Sequence, residues 1–203
     1  MNRLRERLFA YTNENHQNSG FSIYRHYIDA GTSFPIHWHD YYEFEILLSG
    51  RAQHIRNNTV SEIGAGNAYL MCYNDFHSMT ALTDLVIYKV HFKKEFLSSD
   101  LTDYLEFHTS ECCFTDEETT AIKNLLTKLE AEAASNQPFG ELMIRNGIEH
   151  ILVSLLRKQC STLFSGERAE RTKRGQLVYE PRASTWRVPD GDCVEYAQCH
   201  LER

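Results

Sequence analysis

The run Gly31-Thr32-Ser33-Phe34-Pro35-Ile36-His37-Trp38-His39-Asp40-Tyr41-Tyr42-Glu43-Phe44-Glu45-Ile46-Leu47-Leu48-Ser49-Gly50 decides how the chain is read. His37 and His39 are two apart, so on an extended strand their imidazoles leave the same face. Glu43 lies four further on and keeps that parity if the Asp40-Tyr41-Tyr42 corner adds no bulge. Two imidazoles and a carboxylate on one face suit a divalent metal. Gly31 and Gly50 frame the run where a strand turns at low steric cost. Taken alone, the histidine pair reads equally as hydrogen-bonded polar lining of a pocket. Glu43 alone reads as a salt-bridge partner for Arg25 or Arg51.

Outward from this run the chain breaks into short strands. Phe21 to Asp29 is rich in β-branched and aromatic residues. Arg51 to Arg56 and Val60 to Ile63 flank Asn57-Asn58-Thr59, a hairpin with two residues suited to positive φ. Ala68 to Tyr73, His77 to Leu82 and Thr83 to Phe92 follow. In the last of these Val86, Tyr88, Val90 and Phe92 share one face, and Ile87, Lys89 and His91 the other. Strands at this spacing, with turn signals between them, predict an all-β sandwich or barrel. His54, Tyr69, Tyr88 and His91 are expected to face its cavity, and Glu45 to point inward by parity. Trp38, Tyr41, Tyr42 and Phe44 read first as core or rim and second as aromatic walls for a sugar ring. Trp38 and Tyr42 join Glu45, His54, Tyr69, Tyr88 and His91 as the expected ligand-contacting set.

The period then changes. Thr115-Asp116-Glu117-Glu118 is a capping box. Behind it Ile122, Leu125, Leu126, Leu129 and Ala133 recur at three and four, an amphipathic helix ending near Ser135-Asn136. Pro138 is suited to open a second helix, in which Ile144, Ile148, Ile151, Leu152, Leu155 and Leu156 form a wider stripe to about Leu163. The two make an antiparallel hairpin whose stripes pack on the barrel, with surplus aliphatic surface for a second copy. A short helix is expected near Lys94-Leu97 and another from Arg3 to Tyr11. Beyond Gly166 the charged run Glu167 to Gly175 reads as a solvated linker.

The 203 residues carry a net charge of −7, which argues against a nucleic-acid groove dominating this surface. No apolar run approaches the roughly 20 residues needed to span a membrane, and the N-terminus lacks a signal-peptide core, so a cytoplasmic protein is expected. Six cysteines without a Cys-x-x-Cys pair read as reduced thiols.

The run from Gly31 to Gly50 resembles the first motif of the cupin family at every fixed position: glycine, five residues, His-x-His, three residues, glutamate, six residues, glycine. Gly66 and His77 sit where the second motif places its glycine and histidine. Cys72 replaces that motif's proline, Asn74 its turn glycine and Ala81 its closing asparagine. The resemblance implies a jelly-roll barrel and a metal site of His37, His39, Glu43 and His77 for zinc, nickel, manganese or iron. A barrel with a C-terminal two-helix hairpin and linker, carrying the wording His-Trp-His-Asp-Tyr-Tyr-Glu and Leu-Ser-Gly, further resembles the effector-binding half of AraC-type transcription regulators over residues 20 to 164. That implies a small-molecule effector, such as a sugar, and homodimerisation. DNA contact in that family passes through a helix-turn-helix domain, of which Tyr196 to Leu201 resembles only the opening.

The expected layout is an N-terminal arm at 1–19, a barrel at 20–114, a helical hairpin at 115–165 and a linker and truncated tail at 166–203. Three functions compete: an effector sensor, a metal-dependent cupin enzyme (oxygenase or isomerase), and a dimerisation module without a ligand. Turnover with bound metal separates the first two. The third requires an interior plugged by side chains.

Overall fold

Alternation along the strands builds two five-stranded sheets, mainly antiparallel, in a cupin-like jelly roll that carries two long helices on its C-terminal side. The structure, a computed structural model, describes residues 9–11, 20–73, 75–105, 110–135 and 137–166. The strands are β1 (Phe9–Tyr11), β2 (Phe21–Ile28), β3 (Ser33–His39), β4 (Tyr42–Ser49), β5 (Arg51–Arg56), β6 (Thr59–Gly64), β7 (Asn67–Met71), β8 (Phe76–Ala81), β9 (Leu85–Phe92) and β10 (Ser110–Cys113). One sheet has the order β1-β3-β8-β5-β6 and the other β10-β7-β4-β9-β2. A single turn of 3-10 helix, Lys94–Phe96, follows β9, and the helices are α1 (Ser99–Leu105), α2 (Asp116–Ser135) and α3 (Gly140–Gly166).

Two glycines of the motifs, Gly50 and Gly66, are fixed by the backbone. Gly50 has φ +86°, and a Cβ there would collide with the Asp84 carbonyl and the Leu85 side chain. Gly66 has φ +88°, and a Cβ would stand 2.5 Å from the Phe114 carbonyl oxygen. Neither position admits a side chain. The β5–β6 hairpin turns through Asn57 (φ 47°) and Asn58 (φ 67°), as their tolerance of left-handed backbone predicts. The turn before His77 is held by Asp75, whose carboxylate accepts the Cys72 amide at 2.8 Å and whose own amide donates to the Cys72 carbonyl at 3.0 Å. Asn74, which stands in place of the motif's turn glycine, lies outside the described residues.

The β10-β7-β4-β9-β2 sheet has two chemically distinct faces. Its outer face presents Tyr42, Phe44 and Ile46 of β4, Tyr88, Val90 and Phe92 of β9, and Ala68 and Leu70 of β7 to one core shared with α2 and α3. Into that core α3 sends Ile144, Ile148, Ile151, Leu152 and Leu155, none more than 2% exposed within a single chain. The expected surplus for a second copy is therefore not in these residues. Among the described residues, the large apolar side chains that the hairpin leaves exposed are Phe139, Leu142 and Met143. The inner face meets the other sheet around a smaller apolar cluster that includes Ile28, Leu47, Met71, Met79, Leu85 and Ile87.

Several element boundaries differ from expectation. Helix α3 begins at Gly140 rather than at Pro138, because Phe139 adopts φ 66° and no helix continues through that backbone. The short helix α1 lies beyond the one expected near Lys94-Leu97, where a single 3-10 turn stands. Phe9–Tyr11, expected at the end of a helix, is a strand paired in parallel with His37–His39. The rest of that expected helix and the charged linker beyond Gly166 lie outside the described residues. The capping box forms as read: Thr115 Oγ1 accepts the Glu118 amide and Glu118 Oε2 accepts the Thr115 amide at 2.8 Å. No described helix is long and apolar enough to cross a membrane.

Candidate functional site

Parity brings three histidines from neighbouring strands to one place. His37 and His39 leave the inner face of β3, and β8 sets His77 directly opposite His37 in the register. A register shift between Phe34 and His37 falls just before this pair. All three side chains are buried, and their ring nitrogens lie within 4.8 Å of one another. Glu43, on the inner face of β4, completes the group and is 1% exposed.

The distances suit a shared ligand. His39 Nε2 is 3.0 Å from His77 Nε2, and Glu43 Oε2 is 3.0 Å from the first and 3.4 Å from the second. Donor atoms that each bind one ion at about 2.0–2.2 Å are spaced roughly 3 Å apart. The opposite ring atoms are held too. His37 Nδ1 lies 2.7 Å from the Pro35 carbonyl and His77 Nδ1 lies 3.2 Å from His54 Nε2. Such outer contacts fix the ring and tautomer of a ligating imidazole. Burial lowers the pKa of His37 and takes that of His77 well below the ordinary value. His54, behind His77, is pushed down to about 4, again by burial first. Neutral rings keep the lone pair a metal requires. The three histidines, with Glu43 Oε2 beside His39 and His77, therefore offer a donor set that the divalent metal expected from the sequence could use.

Glu43 is also a hub for cations. Its Oε1 lies 2.8 Å from His91 Nε2 and 3.1 Å from Lys89 Nζ. The ammonium of Lys89 also contacts Glu45, a fully buried carboxylate two residues along β4. Burial alone would raise the pKa of Glu43, but Lys89, His39 and His91 hold it well below the usual carboxylate range. Glu45 goes the other way, raised by burial that Lys89 only partly offsets. Lys89 itself stays charged, because the two carboxylates outweigh its own desolvation. Arg25 and Arg51, the partners expected for Glu43, are elsewhere: Arg25 donates to Tyr88 and Arg51 to Glu62.

His37, His39, His77, Glu43, Lys89 and His91 line a cavity of about 170 Å³. Tyr24, Tyr41 and His26 add polar edges, and Ile28, Phe34 and Met79 make the apolar wall. Burial raises the Tyr24 phenol to about 12, so it remains a hydrogen-bond donor.

Of the ligand-contacting set expected from sequence, His91 lines this cavity. Glu45 points inward but reaches the site through Lys89. His54 and Tyr69 are buried inside the barrel, stacked at 4.5 Å between ring centroids, behind His77 rather than on the cavity wall. Three residues are elsewhere. Trp38 lies between His37 and His39 in sequence and so leaves the opposite face of β3, half-buried, paired in register with Phe76. Tyr42 belongs to the outer core, stacked on Phe92 at 5.5 Å. Tyr88 also faces the helices: its hydroxyl lies 2.9 Å from Thr127 Oγ1, and it donates to Glu130 at 3.0 Å. Tyr88 and His91 are three apart on one strand, so they cannot share a face. Lys89, Tyr24 and His26 were not singled out. The alternation of β9 already set Lys89 beside His91, and that parity was the available signal.

The whole is a jelly roll with a polar, partly enclosed interior and a helical hairpin packed against one sheet. The model of the AraC-like ligand binding domain matches residues 20–152, and the chain belongs to that family. Among solved structures, that of an apo ToxT variant from Vibrio cholerae is 12% identical, with a TM-score of 0.53 over 77% of this chain and 68% of that one. A predicted oxalate decarboxylase from Thermotoga maritima is 21% identical over 40% of this chain and 74% of its own, with a TM-score of 0.36. An RmlC-like cupin from Shewanella frigidimarina is 13% identical over 37% and 68%, with a TM-score of 0.35. At 12% identity the likeness to ToxT speaks to fold alone. No curated protein matches the chain significantly.

Proposed function

We propose that this chain is the effector-binding part of an AraC-like transcription regulator, sensing a small polar molecule, such as a sugar, inside the barrel. The carrying observation is the 170 Å³ cavity with converging polar groups, set within the residues matched as a ligand-binding domain. Small-molecule sites combine an apolar wall with a few placed polar groups. Here Ile28, Phe34 and Met79 supply the wall, and Tyr24, Tyr41 and His26 the polar edge. The volume lies below the ~300–1,000 Å³ of pockets for drug-sized ligands and suits an effector about the size of a monosaccharide.

In this reading His37, His39, His77 and Glu43 hold a divalent transition metal. When bound, the metal supplies a Lewis-acidic anchor for a ligand oxygen. Tyr24 and Tyr41 orient the ligand by donating hydrogen bonds, and the apolar wall excludes water from its other side. The regulator acts in the cytoplasm as a homodimer, and DNA contact belongs to a separate helix-turn-helix domain. Calorimetric titration with monosaccharides and small hydroxy acids, with and without zinc, tests the sensor role. At least one compound should bind, and Tyr41→Phe should weaken it several-fold. A DNA-binding domain fused after Gly166 should make reporter output follow the same compound. Binding without any reporter response, whatever the linker length, contradicts regulation.

The three-histidine cluster favours one other reading, a metal-dependent cupin enzyme. Metal-dependent consumption of a compound that binds would establish it in place of the sensor.

A further inference from the structure

Lys89 is outside every motif that the metal reading uses, yet its ammonium reaches the centre of the site. It lies 3.1 Å from Glu43 Oε1 and also contacts Glu45 Oε1, with its side chain 16% exposed. Glu45 is 0% exposed and stands outside the histidine cluster. A buried carboxylate is expensive unless a charge partner needs it. Among the described residues, the ion pair that Glu45 makes is with Lys89. The strand places Glu43 and Glu45 two residues apart on one inner face, with Lys89 opposite Glu45 in the register and His91 opposite Glu43. One ammonium thus has two adjacent seats.

We propose that Lys89 is a built-in cation that competes with a divalent metal for Glu43, and that Glu45 is the seat to which its ammonium withdraws when the metal is held. This rests on the reading of His37, His39, His77 and Glu43 as a metal centre. A divalent ion and an ammonium sharing one carboxylate repel each other, and salt screens that repulsion little in a buried site. Lys89 therefore weakens metal binding and keeps it reversible. Glu45 limits the penalty by giving the displaced charge a partner, so the carboxylate that never touches the metal still sets its affinity.

The test is calorimetric titration of the full, tag-free chain with zinc chloride and with nickel chloride. Lys89→Met should bind at least tenfold more tightly than the wild type, Glu45→Gln should bind several-fold more weakly, and Lys89→Arg should stay near wild type. Since Lys89→Met leaves Glu43 without its cation, the fold is guarded by a second variant. Lys89→Met with Glu45→Gln removes one charge of each sign and should also bind more tightly. His77→Ala should abolish binding in every background. A residue that merely supported the fold would make both Lys89→Met variants bind more weakly. Equal or weaker binding by both, with His77→Ala still abolishing it, overturns the proposal and leaves the metal centre standing. Absence of binding by the wild type and by all variants removes the metal centre and this inference with it.

Discussion

On β4, residues 42, 44 and 46 face the helices, while residues 43, 45 and 47 face the barrel interior. The first set is Tyr, Phe and Ile; the second is Glu, Glu and Leu. β9 repeats the division, with Tyr88, Val90 and Phe92 outward and Lys89 and His91 inward. A single strand thus serves two purposes at adjacent positions. The outer face stabilises by burying apolar area, whereas the inner face spends part of that stability on desolvated charges. The site is affordable because the same strands are anchored from behind by α2 and α3.

The strongest way to break this contrast is to charge the outer core. Ile151→Asp with Leu155→Asp buries two unpaired carboxylates among residues that are 0–2% exposed. We expect loss of the folded state, seen as collapse of the near-ultraviolet circular dichroism. A folded monomeric double variant would place this stripe at an interface between copies. On the inner face, Lys89→Met without metal should cost about 3 kcal/mol, the low end for breaking a buried ion pair, since the ammonium keeps an exposed edge. Urea unfolding measures it, and removing Glu45 as well should recover part of the loss. A cost below ~1 kcal/mol would show that water, not protein, solvates this end of the barrel.

Tyr88→Phe sharpens the contrast from the other side. It deletes a hydroxyl that binds Arg25, Thr127 and Glu130 on the helix side of β9. Stability should fall by ~1–2 kcal/mol. Ligand and metal affinity at the cavity should stay unchanged, because the side chain faces away from it. A several-fold change in either would mean that β9 transmits strain between its faces.

Parity made most of the site legible. His37, His39 and Glu43 could be placed together from spacing alone, and the second motif supplied His77. The same rule applied more strictly would have removed Trp38 and Tyr42, which alternate against the histidines and Glu43, and would have separated Tyr88 from His91. Lys89 was on the correct face but carried no signal as a residue type, because lysine ordinarily seeks solvent. Its ion pairs emerge only when two buried carboxylates are brought to it across β4. The hairpin was legible from its period and its capping box. The start of α3 was not, since the positive φ of Phe139 is imposed by the tertiary connection between α2 and α3 rather than by local preference.

The smallest expected effect concerns a partly exposed ion pair between the two helices, Glu118 of α2 with Lys158 of α3, outside the barrel cavity. Lys158 Nζ donates to Glu118 at 2.8 and 3.0 Å, and Glu118 also closes the capping box with Thr115. The Lys158 hydrogen bond, followed by the Thr115 amide, lowers the Glu118 pKa from its ordinary 4.5. A carboxyl whose folded pKa is depressed adds stability above its unfolded value and loses it as pH falls through the folded one. The side chain is 42% exposed, so solvent screening limits the ion pair to under ~1 kcal/mol. The wild type should therefore exceed Glu118→Gln in stability by a small margin at pH 6, and the margin should shrink steadily below about pH 4.5. Taking the difference between the two proteins cancels the other carboxylates, Glu43 among them. Parallel urea midpoints from pH 6 to pH 3 would show instead that Glu118 acts through its cap hydrogen bond, which glutamine preserves, and that the ion pair with Lys158 adds nothing measurable.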